Sequence, residues 1–74
     1  MNVEIWGKDN CNFCRAAVDL CEELHLDFTY KTYNVDFTKE QILAEFVGAT
    51  TFPQIKIDGV PVGGYTELKE LLCR

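Results

Sequence analysis

Two cysteines two residues apart, Cys11-Asn12-Phe13-Cys14, stand where an alternating segment gives way to an amphipathic one. That junction constrains the fold more than any other feature of the chain. Asn2 to Trp6 alternates, with Val3 and Ile5 on one side, and predicts a strand. Gly7 to Asn10 is a polar loop. From Cys11 to about Leu24, the residues Ala16, Ala17, Leu20, Cys21 and Leu24 recur at helical spacing and predict a helix. His25, at its end, faces the negative pole of the helix dipole.

The remaining pattern completes the frame. Asp27 to about Asn34 is rich in aromatic and β-branched residues and reads as a second strand. Asp36 and Thr38 both offer a cap for a second helix. Thr38 is the better one, because Gln41 follows three residues later as in a capping box. Ile42, Leu43, Phe46 and Val47 form that helix's expected apolar stripe, and Gly48 its stop. Gln54 to Ile57 reads as a third strand and Asp58-Gly59 as a hairpin turn. Val60 to Val62 reads as a fourth strand, which Pro61 marks as an edge strand or a distorted one. After Gly63-Gly64, a last helix turns Leu68, Leu71 and Leu72 inward. The order β-α-β-α-β-β-α predicts an α/β fold: a four-stranded mixed sheet flanked by three helices. The first two strands are expected to be parallel, in a right-handed βαβ unit.

Length and charge narrow the function classes. Seventy-four residues suit one small domain, 1–74, and a hydrophobic fraction of 47% is that of a globular chain. A net charge of −5 argues against nucleic acid and against an anionic membrane as partner. Glu4, Lys8 and Asp9 interrupt any apolar run at the start, and no segment approaches the ~20 apolar residues that span a bilayer. The expectation is a cytoplasmic monomer. Four cysteines admit a disulfide scaffold, a zinc site or redox chemistry. Cys21 and Cys73 are isolated and His25 has no second histidine, so no metal site is expected and the redox reading fits best.

A thiolate, not a thiol, attacks a disulfide. An ordinary cysteine has a pKa of about 8.5, which a helix N-terminus or a nearby cation lowers to ~3.5–7.5. Cys11 has both in prospect: the first N–H groups of the helix, and Lys8 in the preceding loop. Cys14 lies one turn further in and should be more buried. The expected roles are attack by Cys11 and resolution by Cys14, both catalytic. Cys21 reads as a small core hydrophobe and Cys73 as incidental. Trp6, Tyr30 and Tyr33 read as packing residues, whereas Tyr65 opens the last helix and is placed to touch a ligand.

With these residues in place, the chain resembles a small dithiol glutaredoxin of the thioredoxin-fold superfamily, of the compact bacterial and phage type, over essentially its whole length. Lys8 with Cys11-Asn12-Phe13-Cys14 resembles the family's active-site loop. Thr51-Phe52-Pro53 resembles its T-V-P segment, and Gly63-Gly64-Tyr65-Thr66-Glu67 the stretch before its last helix. The resemblance implies a glutathione-dependent thiol–disulfide oxidoreductase, with glutathione as co-substrate and no permanently bound cofactor. Its partners would be disulfide-containing proteins, ribonucleotide reductase among them. The implied glutathione contacts are Lys8, Phe13, Thr51, Phe52, Pro53, Gly64, Tyr65 and Thr66, with the Phe52–Pro53 bond cis. Asn12 and Phe13 depart from the proline and tyrosine of many members. Where many members place arginine or glutamine against the glycine carboxylate, Glu40 falls by register, with Lys39 and Gln41 as substitutes. An iron–sulfur carrier bridging a glutathione-dependent dimer is the alternative.

Overall fold

The computed structural model describes residues 1–73. Its elements are β1 (Asn2–Gly7), α1 (Asn12–Glu23), β2 (Asp27–Thr32), α2 (Lys39–Glu45), β3 (Gln54–Ile57), β4 (Val60–Gly63) and α3 (Tyr65–Leu72). The strands form one sheet in the order β2-β1-β3-β4. β1 runs parallel to β2 and antiparallel to β3, and β3 pairs antiparallel with β4. This is the mixed sheet and element order that the sequence predicts. Pro61 does lie on an edge strand, and the ladder beside it is irregular between Ile55 and Lys56. No helix among the described residues is long and apolar enough to cross a membrane.

The alternation of β1 divides the molecule into two packing layers. Val3 and Ile5 face one side with Ala17, Leu20 and Cys21 of α1, Ile55 of β3 and Leu68 of α3. Trp6 faces the other side, where Phe37, Ile42 and Phe46 cover it. Around Trp6 the sheet is charged as well as aromatic. Lys31 Nζ lies 4.6 Å from the indole centroid and 3.2 Å from Glu4 Oε1, and the indole N–H donates to Glu4.

Local chemistry sets the element ends. Thr38 Oγ1 accepts from the Gln41 N–H, and Gln41 Oε1 accepts from the Thr38 N–H, closing the capping box at α2. The α1 terminus is a Schellman turn without glycine. The Leu26 N–H donates to the Cys21 carbonyl and the His25 N–H to that of Glu22, with His25 in the left-handed region at φ 56°. Asp58 and Gly59, at φ 50° and 83°, form the primed hairpin turn expected of Asp-Gly.

Three expectations are corrected. β2 ends at Thr32, not near Asn34, because the Asp36 carboxylate takes the Thr32 N–H and Asn34 turns the chain at φ 64°. Leu43 and Val47 are exposed, at 41% and 97%. α2 ends at Glu45 and Phe46 is extended, so the helical spacing that would bring Val47 inward does not continue, and only Ile42 and Phe46 are buried. In α3, Leu68 is fully buried and Leu72 half-buried, but Leu71 lies off that stripe and is exposed. Trp6 packs among aromatic rings, as its reading as a packing residue expects.

Candidate active site

Cys11 is the N-cap of α1 and Cys14 lies in its first turn. The two are joined as a disulfide with their Cα atoms 5.2 Å apart. The Cys14 N–H points at Cys11 Sγ, 3.2 Å away, and the Cys11 carbonyl accepts from the Arg15 N–H. When the pair is reduced, that N–H and the positive pole of α1 favour charge on the Cys11 sulfur. Cys11 is half-buried while Cys14 is 1% exposed. Desolvation therefore opposes charge on the inner sulfur more strongly. Cys21 is fully buried, and burial pushes its thiol pKa up.

The strand before the thiols supplies a close approach. Gly7, the last residue of β1, is buried against Tyr30 and Cys14. A Cβ there would sit 2.8 Å from Tyr30 Cζ, 2.9 Å from Cys14 Sγ and nearer still to the Tyr30 hydroxyl. Tyr30 Oη donates to the Lys8 carbonyl at 3.1 Å and so anchors the loop that leads to Cys11. Burial pushes the Tyr30 pKa up and the charge of Asp9 adds to this, against the hydrogen bond to Lys8, so the phenol stays a donor near neutrality. Sequence reading assigns Tyr30 to packing alone. Its β2 register opposite Ile5, beside the loop, is the signal that could have found it.

The expected glutathione contacts other than Lys8 come together along one groove that begins at Phe13, between the two cysteines in sequence. The Phe52–Pro53 peptide is cis and Pro53 is buried. Gln54 Nε2 donates to the Thr51 carbonyl at 2.9 Å and ties down this loop. The ring of Phe52 packs on Tyr33 and Phe37, at centroid distances of 5.5 and 6.4 Å, and Phe37 packs tilted against Trp6 at 4.8 Å. The aromatic layer beneath the sheet thus reaches the loop. Phe13, 62% exposed, stacks on Tyr65 at 5.9 Å. Phe13, Thr51, Phe52, Pro53, Gly64, Tyr65, Thr66 and Glu67 line an open groove of about 180 Å³.

Glycine is required at the end of this groove. A Cβ on Gly63, at φ 120°, would lie 2.7 Å from Glu67 Oε1, and one on Gly64 3.3 Å from the Pro53 carbonyl. Glu67 Oε1 accepts from the Gly64 N–H at 2.7 Å. Neither cysteine lines the groove, which reaches their motif through Phe13, and of the expected glutathione contacts Lys8 does not line it. Lys8 Nζ lies 5.6 Å from the Phe52 ring centroid, and its loop borders a separate cavity against Cys11. At α2, Gln41 is committed to its capping box, whereas Lys39 lines a cleft shared with Tyr33, Thr51 and Phe52.

Comparison with known proteins gives the family and the fold. The glutaredoxin family model matches residues 3–62. A glutaredoxin of Haemophilus influenzae is 38% identical over 97% of this chain and 91% of its own length. The reduced Escherichia coli glutaredoxin structure superimposes with a TM-score of 0.85 at 29% identity, covering 99% of this chain and 94% of that one. A buckwheat glutaredoxin–glutathione complex shares the fold, with a TM-score of 0.69 at 23% identity over 92% of this chain and 64% of that one. With a cysteine pair joined at a helix N-terminus, the chain belongs to the glutaredoxin family of thiol–disulfide oxidoreductases.

Proposed function

We propose that this protein is a glutathione-dependent oxidoreductase that reduces protein disulfides and glutathione mixed disulfides. The observation that supports the reading is the groove of Phe13, Thr51–Pro53 and Gly64–Thr66, which starts at the residue next to Cys14. The thiolate of Cys11 attacks the target sulfur and expels the partner thiolate. Cys14 then attacks Cys11, releases the target thiol, and leaves the Cys11–Cys14 disulfide. Glutathione returns two electrons to that disulfide and becomes oxidised. The backbone of Phe52 pairs with the cysteine of glutathione. The Phe13–Tyr65 pair flanks it, and the first-turn N–H groups of Tyr65 and Thr66, with the Thr66 hydroxyl, receive the γ-glutamyl carboxylate. Lys8 faces the ligand from above Phe52. Lys39 is the cation for the glycine carboxylate, since Gln41 is occupied as a cap and Glu40 has the wrong charge.

The reading places the chain in the cytoplasm as a single-domain monomer that serves disulfide-bearing enzymes. A glutathione-coupled assay on a small glutathione mixed disulfide tests it. Cys11→Ser is expected to abolish turnover. Cys14→Ser is expected to keep it on the mixed disulfide and lose it on protein disulfides. Full activity of Cys11→Ser, or turnover indifferent to glutathione, would overturn the proposal.

A further inference from the structure

Cys11 borders a second cavity, of about 330 Å³, which shares no lining residue with the groove. It is built on β2 and the flank of α1 rather than on the Pro53 loop and α3. Val18, Phe28 and Tyr30 give it an apolar floor, and Lys8 and Arg15 place two cations on its border against one carboxylate, Asp9. On a chain of net charge −5 this is a locally positive spot. Arg15 is exposed and makes no ion pair among the described residues. It stands four residues after Cys11, a spacing that puts both on one flank of α1, and Val18 follows three residues later. The volume lies at the low end of small-ligand pockets, about 300–1,000 Å³.

We propose that this cavity is a specificity subsite for protein disulfides, taking an apolar side chain near the target cysteine with an acidic neighbour against Arg15. The inference rests on the oxidoreductase reading above. Glutathione, held in the groove and by Lys39, meets this cavity only at Lys8 on its border, so a longer chain is needed to fill it. In the mixed disulfide, one target sulfur is bonded to Cys11 Sγ and the flanking residues lie at the cavity mouth. The electron balance is that of the parent reaction: two electrons pass from the dithiol to the target, and the Cys11–Cys14 disulfide forms as the target thiols are released. The subsite changes which targets dwell long enough to react, not the chemistry.

The test uses disulfide peptides that differ only beside one cysteine, carrying Phe-Glu, Phe-Lys or Ser-Glu, with the pair placed on either flank. Values of kcat/KM are compared for the wild type and Arg15→Glu. Any change in Cys11 ionisation is common to all peptides and cancels in their ratio. The wild type is expected to favour Phe-Glu over Phe-Lys roughly fivefold, the factor in about 1 kcal/mol for an exposed ion pair. Arg15→Glu should reverse that order, and added salt should shrink both preferences. Phe-Glu should also exceed Ser-Glu. Equal rates for Phe-Glu and Phe-Lys on both flanks, or a ratio unmoved by Arg15→Glu, would overturn the charged part. Equal rates for Phe-Glu and Ser-Glu would overturn the apolar part. Turnover of a small glutathione mixed disulfide by the wild type is the control: its loss refutes the parent reading, while the peptide ratios measured with dithiothreitol as reductant still decide the subsite.

Discussion

Replacing Gly7 by alanine adds one methyl group at the point where β1, β2 and the inner thiol converge. The new Cβ would lie 2.8 Å from Tyr30 Cζ and 2.9 Å from Cys14 Sγ. Both are inside ordinary contact distance, and both neighbours belong to packed elements. In an open strand the same change would stabilise the protein by about 0.4–1 kcal/mol through the unfolded chain. Here overpacking of about 1–3 kcal/mol opposes it. Displacing Tyr30 also loosens its bond to Lys8, worth about 1 kcal/mol. The net cost is roughly 2–3 kcal/mol. That is a large share of the roughly 4–11 kcal/mol expected for a domain of this length at about 0.05–0.15 kcal/mol per residue. At ~4–8 °C per kcal/mol, Tm should fall by about 10–20 °C. Thermal and urea unfolding of the oxidised protein read this out. A double-mutant cycle with Tyr30→Ala isolates the collision: removing the ring should relieve about 1 kcal/mol or more of the Gly7→Ala cost. Strictly additive costs, or a Gly7→Ala protein as stable as the wild type, would refute the reasoning.

Two further perturbations test the supports of the site. Phe37→Ala should cost about 3–5 kcal/mol, since the ring is 3% exposed. Because Phe37 packs on Phe52, KM for a glutathione mixed disulfide should rise more than kcat falls; an unchanged KM in folded protein contradicts the link. Glu4 sets an acid limit. Burial alone would raise its pKa, but the hydrogen bonds from Lys31 and Trp6 and the charges of Lys31 and Lys56 outweigh it and hold the group below its ordinary 4.5. A depressed folded-state pKa contributes stability that is complete above the unfolded value and is lost as pH falls through the folded one. Urea midpoints of wild type and Glu4→Gln should therefore converge as the pH drops below about 4.5. Curves that stay parallel there would show that Glu4 does not titrate with folding.

Most of the frame is legible in the sequence because its signals are local. The Thr38–Gln41 box, the Asp58-Gly59 turn and the alternation of β1 each act within a few residues, and all three reappear in the structure. Errors fall where a periodic pattern outruns its element. Val47 continues the spacing of α2 on paper, but the helix has already ended. The thiol motif, Thr51-Phe52-Pro53 and Gly63-Gly64 are readable as motifs, and Phe13, Thr51–Pro53 and Gly64 line one groove. The role of Tyr30 is hidden because it depends on a register between β1 and β2 and on a contact 22 residues away in the chain. The cavity around Arg15 is hidden for the same reason: an isolated arginine on a helix carries no signal until Phe28 and Tyr30 are folded against it.

The account rests on charge held by one sulfur of the pair. The pH dependence of iodoacetamide alkylation of the reduced protein, in a Cys73→Ser background that removes the other exposed thiol, measures that charge directly. Reaction at Cys11, located by peptide mapping, should titrate with a midpoint between ~3.5 and 7.5. A midpoint at or above the ordinary value of about 8.5, or equal labelling of Cys11 and Cys14, would contradict it.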